Sequence, residues 1–122
     1  KCLLRPRDIV WEEQKIGGGP PCIKTPAGWL QIYHGKGRDQ IYSLFTLLLD
    51  ADEPSHVLKR ARNPVLKPEL DYETSGFFPH VVFSNGLVEF DDGTVFVYYG
   101  ACDGVTCVTE TSIEELLQSL DE

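Results

Sequence analysis

Short hydrophobic runs rich in aromatic and β-branched residues alternate with polar, turn-forming residues along the chain. That spacing predicts strands. Residues 29–34 read as a strand entered through the turn Pro26-Ala27-Gly28, with residues 23–25 as its hairpin partner. Residues 42–50 form a longer apolar strand, and residues 57–61 another before the turn signal Asn63-Pro64. Residues 80–83 and 87–90 flank Ser84-Asn85-Gly86, read as a tight turn. Asp91-Asp92-Gly93 then leads into a strand over 94–99, and residues 104–109 close the series. The pattern changes once, at the end. Ile113, Leu116, Leu117 and Leu120 form a stripe at helical spacing, with Thr111 or Ser112 as cap and Glu114 and Glu115 in the first turn. The prediction is an all-β antiparallel architecture with a short C-terminal helix.

Two sections repeat. Gly28-Trp29-Leu30-Gln31-Ile32-Tyr33-His34-Gly35 and Gly93-Thr94-Val95-Phe96-Val97-Tyr98-Tyr99-Gly100 both run from glycine through a strand and an aromatic back to glycine. Self-similarity of this kind in an all-β sequence points to propeller blades.

The length, 122 residues, suits one ordinary domain. A formal net charge of −8 argues against a general binder of nucleic acid or of anionic membranes. The longest apolar run, residues 44–49, is strand-sized and far short of a bilayer span. Cys2, Cys22, Cys102 and Cys107 match no zinc spacing. They read as thiols in a reducing compartment, with a single disulfide as the alternative, and the expected location is the cytoplasm. The acidic groups Asp50-Ala51-Asp52-Glu53 and Glu69, Asp71, Glu73 lack a metal-loop pattern and read as solvated faces. No metal and no cofactor are expected.

The chemistry is concentrated early. Lys15 precedes Gly17-Gly18-Gly19-Pro20-Pro21, and the following strand ends on His34. A cation on a glycine-rich turn beside a second potential donor suits recognition of an anion. Asp103, at a strand end before Gly104, reads either as an ordinary loop acid or as an acceptor for a sugar ligand. Tyr33, Tyr98, Tyr99 and Trp29 read as strand packing, and His80 as a weaker candidate for the site.

The string Trp11-Glu12, Lys15-Ile16-Gly17-Gly18-Gly19-Pro20-Pro21, Thr25, Gly28-Trp29-Leu30, Ile32-Tyr33-His34-Gly35 resembles the core signature of glycoside hydrolase family 130, the β-mannoside phosphorylases and their hydrolytic relatives. Pro64-Val65-Leu66, Pro68-Glu69, Tyr72-Glu73, Gly76-Phe77, Val97-Tyr98-Tyr99-Gly100-Ala101 and Asp103 extend the resemblance over nearly the whole chain. The resemblance implies a five-bladed β-propeller of which these residues are a C-terminal portion, about two antiparallel blades. It implies that inorganic phosphate, as co-substrate, attacks the anomeric carbon of a β-mannoside with inversion to give mannose 1-phosphate. By position, Lys15 and His34 match phosphate-site residues, and Asp103 matches an acid that holds sugar hydroxyls. The general acid and a phosphate-binding Arg have no counterpart in these residues, so no catalytic residue is assigned. Cys22, Ser43, Phe45 and His80 depart from the usual pattern.

Two readings follow. In one, the chain is part of a phosphorylase, or of a hydrolase of the same family, and needs further blades. In the other, it is a non-catalytic propeller piece that self-associates or binds carbohydrate.

Overall fold

The computed structural model describes residues 1–76 and 81–121, and in it eight strands form two antiparallel sheets. The first sheet contains β1 (Lys15–Gly17), β2 (Ile23–Thr25), β3 (Gly28–Lys36), β4 (Tyr42–Leu49) and β5 (Val57–Arg60). β1 and β2 lie along the same edge of β3, so that edge is one interrupted strand. The interruption is Gly18 to Cys22. Pro20 and Pro21 offer no backbone N–H to the ladder, so pairing lapses there and resumes at Ile23.

The second sheet has the order β6 (Val82–Glu89), β7 (Thr94–Ala101), β8 (Val105–Ser112). The two repeated sequence sections are β3 and β7, each the second strand of a meander and each flanked on both sides.

β4 is apolar without alternation because both faces of the first sheet are covered. One face carries Leu30, Ile32, Leu44 and Leu48, which join Val82, Val95, Val97 and Tyr99 of the second sheet and Leu116 and Leu120. The other carries Tyr33, Phe45, Leu47 and Leu49, packed against Leu4, Trp11 and Trp29. By contrast, the second sheet leaves Val88, Tyr98 and Val108 exposed. Tyr98 is therefore not a packed strand residue, whereas Tyr33 and Tyr99 are.

The helix α2 spans Ile113–Gln118 and continues into a 3₁₀ turn, Ser119–Asp121. Ser112 is its N-cap, accepting from the Glu115 N–H at 3.1 Å. Ser119 shares a 2.7 Å hydroxyl hydrogen bond with Thr46, which fixes the helix end on β4.

Three expectations change. Ser84-Asn85-Gly86 is not a turn: β6 runs straight through, and Asn85 is the extra residue of a bulge, since Ser84 faces Tyr99 and Gly86 faces Tyr98. The hairpin turn comes later, at Asp91 to Gly93, closed by Gly93 N–H to Phe90 and Phe90 N–H to Thr94. Second, Lys15 and Gly17 lie in a strand rather than on a turn. Third, Glu73 is not on a solvated face. It is 2% exposed and its carboxylate accepts from the backbone N–H groups of Glu69 and Leu70 and from the Tyr99 hydroxyl at 2.5 Å. This caps a short helix, α1 (Asp71–Thr74), that the sequence pattern does not announce.

The N-terminal segment is tied down by one buried acid. Glu12 is fully buried and receives hydrogen bonds from Arg7 Nε at 2.8 Å, from the Tyr33 hydroxyl at 2.9 Å, and from Arg60. Arg7 also donates to the Ala61 carbonyl at 2.6 Å. Burial, with the charge of Glu12 alongside, pushes the Tyr33 hydroxyl up to about 12. The segment leading to Lys15 is thus anchored to β3 and β5.

Candidate functional site

Strand register sets the site. Antiparallel pairing aligns Lys15 with Lys36 and Lys36 with Tyr42, a row across β1, β3 and β4. Two residues along, the next row on the same face is Gly17, His34 and Leu44. Lys15 and His34 therefore share a face, as the anion reading requires. The Lys15 and Lys36 ammonium groups lie 5.5 and 5.6 Å from the Tyr42 ring centroid, within cation–π range.

Gly17 and Gly19 are needed for close approach, not for unusual backbone angles; neither has positive φ. A Cβ on Gly17 would sit 2.5 Å from His34 Cε1 and Nε2. A Cβ on Gly19 would sit 2.5 Å from Ser84 Oγ and 2.6 Å from the Ile32 carbonyl. The glycine run thus lies flat against the His34 imidazole and the bulged strand β6.

The two sheets meet beside this row. Tyr42 bridges in parallel to Val81, and the Cys102 N–H donates to the Val81 carbonyl at 2.9 Å. That bond brings the β7–β8 turn to the site. Cys102 and Asp103 adopt φ of +50° and +54°, and Gly104 N–H bonds the Ala101 carbonyl, the signature of a primed hairpin turn. Tyr42, Val81, Phe83 and Asp103 line an open cleft of about 360 Å³. The Phe83 ring lies against His34, tilted by 36° at 4.2 Å between centroids. The residues expected from the sequence are thereby joined: Lys15 and His34 on one side, Asp103 on the other, with Tyr42 and Phe83 between. His80 lies outside the described residues.

His34 is 5% exposed, and its Nδ1 has no hydrogen-bond partner among the described residues. Burial lowers its pKa, the charge of Lys15 lowers it further, and a hydrogen bond with the Gly18 backbone opposes both. The imidazole is accordingly neutral near pH 7 and offers one N–H and one lone pair rather than a full charge. The charge of this end of the site comes from lysine.

Lys36, Tyr42 and Phe83 were not among the residues singled out from sequence. Ending the strand at His34 hid Lys36, although period two places residue 36 on the same face as residue 34. Tyr42 and Phe83 read as ordinary strand aromatics, and only the contact between sheets gives them a wall to form.

The glycoside hydrolase family 130 model, described as beta-1,4-mannooligosaccharide phosphorylase, matches residues 1–122. The chain belongs to glycoside hydrolase family 130. A Beta-1,2-mannobiose phosphorylase of Thermoanaerobacter sp. (strain X514) is 44% identical over 114 residues, which cover 91% of this chain and 37% of that protein. A Beta-1,4-mannooligosaccharide phosphorylase of Ruminococcus albus is 36% identical, over 88% of this chain and 33% of its own length. The solved Beta-1,2-mannobiose phosphorylase from Listeria innocua, in complex with beta-1,2-mannobiose, superposes with a TM-score of 0.93 at 39% identity, covering 98% of this chain and 33% of that one. The family 130 fold is a five-bladed β-propeller, and the two sheets described above are part of one. The chain spans about a third of the length of these relatives. All four cysteines of this family 130 chain are free, and none of its helices among the described residues is long and apolar enough to cross a membrane.

Proposed function

We propose that this chain supplies the phosphate end and part of the sugar subsite of a β-mannoside phosphorylase. The observation that carries the reading is the join of Lys15 and His34 to the Tyr42–Phe83–Asp103 cleft. An anion at the lysine end and a sugar against the aromatic wall would lie side by side. Phosphate is bound through charge-assisted hydrogen bonds from Lys15. A buried, neutral His34 accepts from the P–OH of the hydrogen phosphate dianion or donates its one N–H. Asp103 accepts from sugar hydroxyls, which a carboxylate held on a rigid turn does well.

In the reaction, a phosphate oxygen bonds to the anomeric carbon from the face opposite the glycosidic oxygen. That C–O bond breaks, and the leaving oxygen takes a proton from a carboxylic acid expected from outside these 122 residues. The step is formally a glycosyl transfer to phosphate. No cofactor takes part, and the cytoplasm, as a reducing compartment, is in keeping with four unpaired thiols. The exposed apolar face at Val88, Tyr98 and Val108 is where further blades, or a second copy, would pack.

The test is phosphate-dependent release of mannose 1-phosphate from β-mannosides by the complete protein, with Lys15→Ala alongside. The reading expects the substitution to raise KM for phosphate about tenfold or more, the worth of a charged hydrogen bond, with KM for the mannoside little changed. Mannose released equally without phosphate would assign hydrolysis instead. No turnover, with native mass showing self-association, would favour the non-catalytic reading.

A further inference from the structure

Lys36 is a position where the fold spends stability without a visible return. It stands directly opposite Lys15 in the β1–β3 register and directly opposite Tyr42 in the β3–β4 register. Like charges directly opposite one another on a sheet face repel and destabilise the pairing. Neither ammonium forms an ion pair among the described residues. Glu13, the acid nearest Lys15 in sequence, is engaged by Arg38 at 2.7 Å, and Asp39, the acid nearest Lys36, accepts from the Ile41 N–H at 3.1 Å. Both ammonium groups are instead drawn to one ring, Tyr42, which also lines the cleft. The buried imidazole one row away carries an Nδ1 with no partner among the described residues.

We infer that Lys36 is a second cationic ligand for the phosphate, so that Lys15 and Lys36 together form a two-ammonium clamp oriented by the Tyr42 ring. The inference rests on the phosphorylase reading and deepens it at one residue. Two point charges on flexible stems on either side of a tetrahedral dianion reach separate oxygens, which a single lysine does not. Bound phosphate also removes the repulsion that the register imposes on the empty site. Tyr42 carries no charge in this arrangement. It holds both stems toward the cleft and limits the conformations each must lose on binding.

The experiment is steady-state phosphorolysis by the complete protein, with phosphate and mannoside varied independently, for wild type, Lys15→Ala, Lys36→Met and Lys36→Arg. Methionine keeps the length and apolar stem of the side chain and removes the charge. Expected results are a rise of about tenfold in KM for phosphate in Lys36→Met, no more than a small change in KM for the mannoside, and near wild-type values in Lys36→Arg. The loss of phosphate affinity with added neutral salt should also be shallower in Lys36→Met, because one charge has gone. If Lys15→Ala weakens phosphate while Lys36→Met does not, the clamp is wrong and the phosphorylase reading stands. If neither weakens it, both fall. If Lys36→Arg loses as much as Lys36→Met, the position acts through packing and the clamp is again wrong. Phosphate binding to each variant without sugar, followed by ³¹P NMR titration, gives the same discrimination where turnover is too slow to measure.

Discussion

Replacing Gly17, Gly18 and Gly19 one at a time by alanine asks the same chemical question of three environments. None of the three has positive φ, so backbone strain does not enter. At Gly17 the added methyl meets His34 Cε1 and Nε2 at 2.5 Å, about 1 Å inside ordinary carbon contact. The imidazole cannot simply swing away, because Phe83 lies against it at 4.2 Å between centroids. The expected cost is that of an overpacked core, ~1–3 kcal/mol. At Gly19 the methyl meets the Ile32 carbonyl oxygen at 2.6 Å as well as Ser84 Oγ at 2.5 Å, and a backbone oxygen in the middle of β3 yields least. Gly19→Ala should therefore be the worst of the three, at or above ~3 kcal/mol. At Gly18 nothing lies within 4 Å, so alanine should stabilise by ~0.4–1 kcal/mol through its less flexible unfolded chain. Urea unfolding followed by the fluorescence of Trp11 and Trp29 measures all three. A second substitution makes the cause specific. Gly17→Ala combined with His34→Ala should cost less than the sum of the two single changes, by ~1 kcal/mol or more, because the clash is gone. Equal effects at Gly17 and Gly18, or strict additivity with His34→Ala, would refute the close-approach account.

Two further outcomes follow from buried polar groups. Glu12→Gln should cost about 2–3 kcal/mol in the same urea assay, below the ~3–5 kcal/mol of a fully buried pair because Arg7 and Arg60 keep some contact with water; a loss under ~1 kcal/mol would mean the two guanidinium groups do not depend on that carboxylate. His34 has its pKa lowered by burial and by Lys15, so the folded protein resists a proton that the unfolded chain accepts. Stability from this group is intact above the unfolded value of about 6.5 and falls as pH drops through it, and NMR titration of the imidazole should show its pKa rise when phosphate offsets the charge of Lys15. A titration unmoved by phosphate would separate His34 from the anion site.

What could be read from the sequence was governed by period and by turn chemistry. β2, β3, β4, β5, β7, β8 and α2 all stand close to where short apolar runs, proline, glycine and a capping serine put them. The two misplaced turns share one cause. Glycine marks both turns and close approaches, and a single chain does not say which. Gly17 to Gly19 suggested a turn, yet the role of Gly17 and Gly19 is to admit an imidazole, a hydroxyl and a carbonyl from strands that lie later in sequence. Ser84-Asn85-Gly86 suggested a hairpin, yet the residue that bends the strand there is the odd one of a bulge. Glu12 and Glu73 were unremarkable acids until distant donors, Arg60 and Tyr99, arrived to bury them.

The site divides along the same line. Lys15, His34 and Asp103 came from residue type and resemblance, and strand register then supplied what joins them. Tyr42 is the hinge of that join. It pairs with Lys36 in one sheet, bridges to Val81 at the start of the other, and faces both lysines. A substitution that shifted β4 by one residue would turn Tyr42 to the opposite face and bring Ser43 into its place. It would separate the cations from the cleft while leaving every hydrophobic count unchanged. Composition is blind to such a change. The anion end of the site is therefore a property of register, and the five apolar residues among positions 44–49, packed on both faces, are what hold that register fixed.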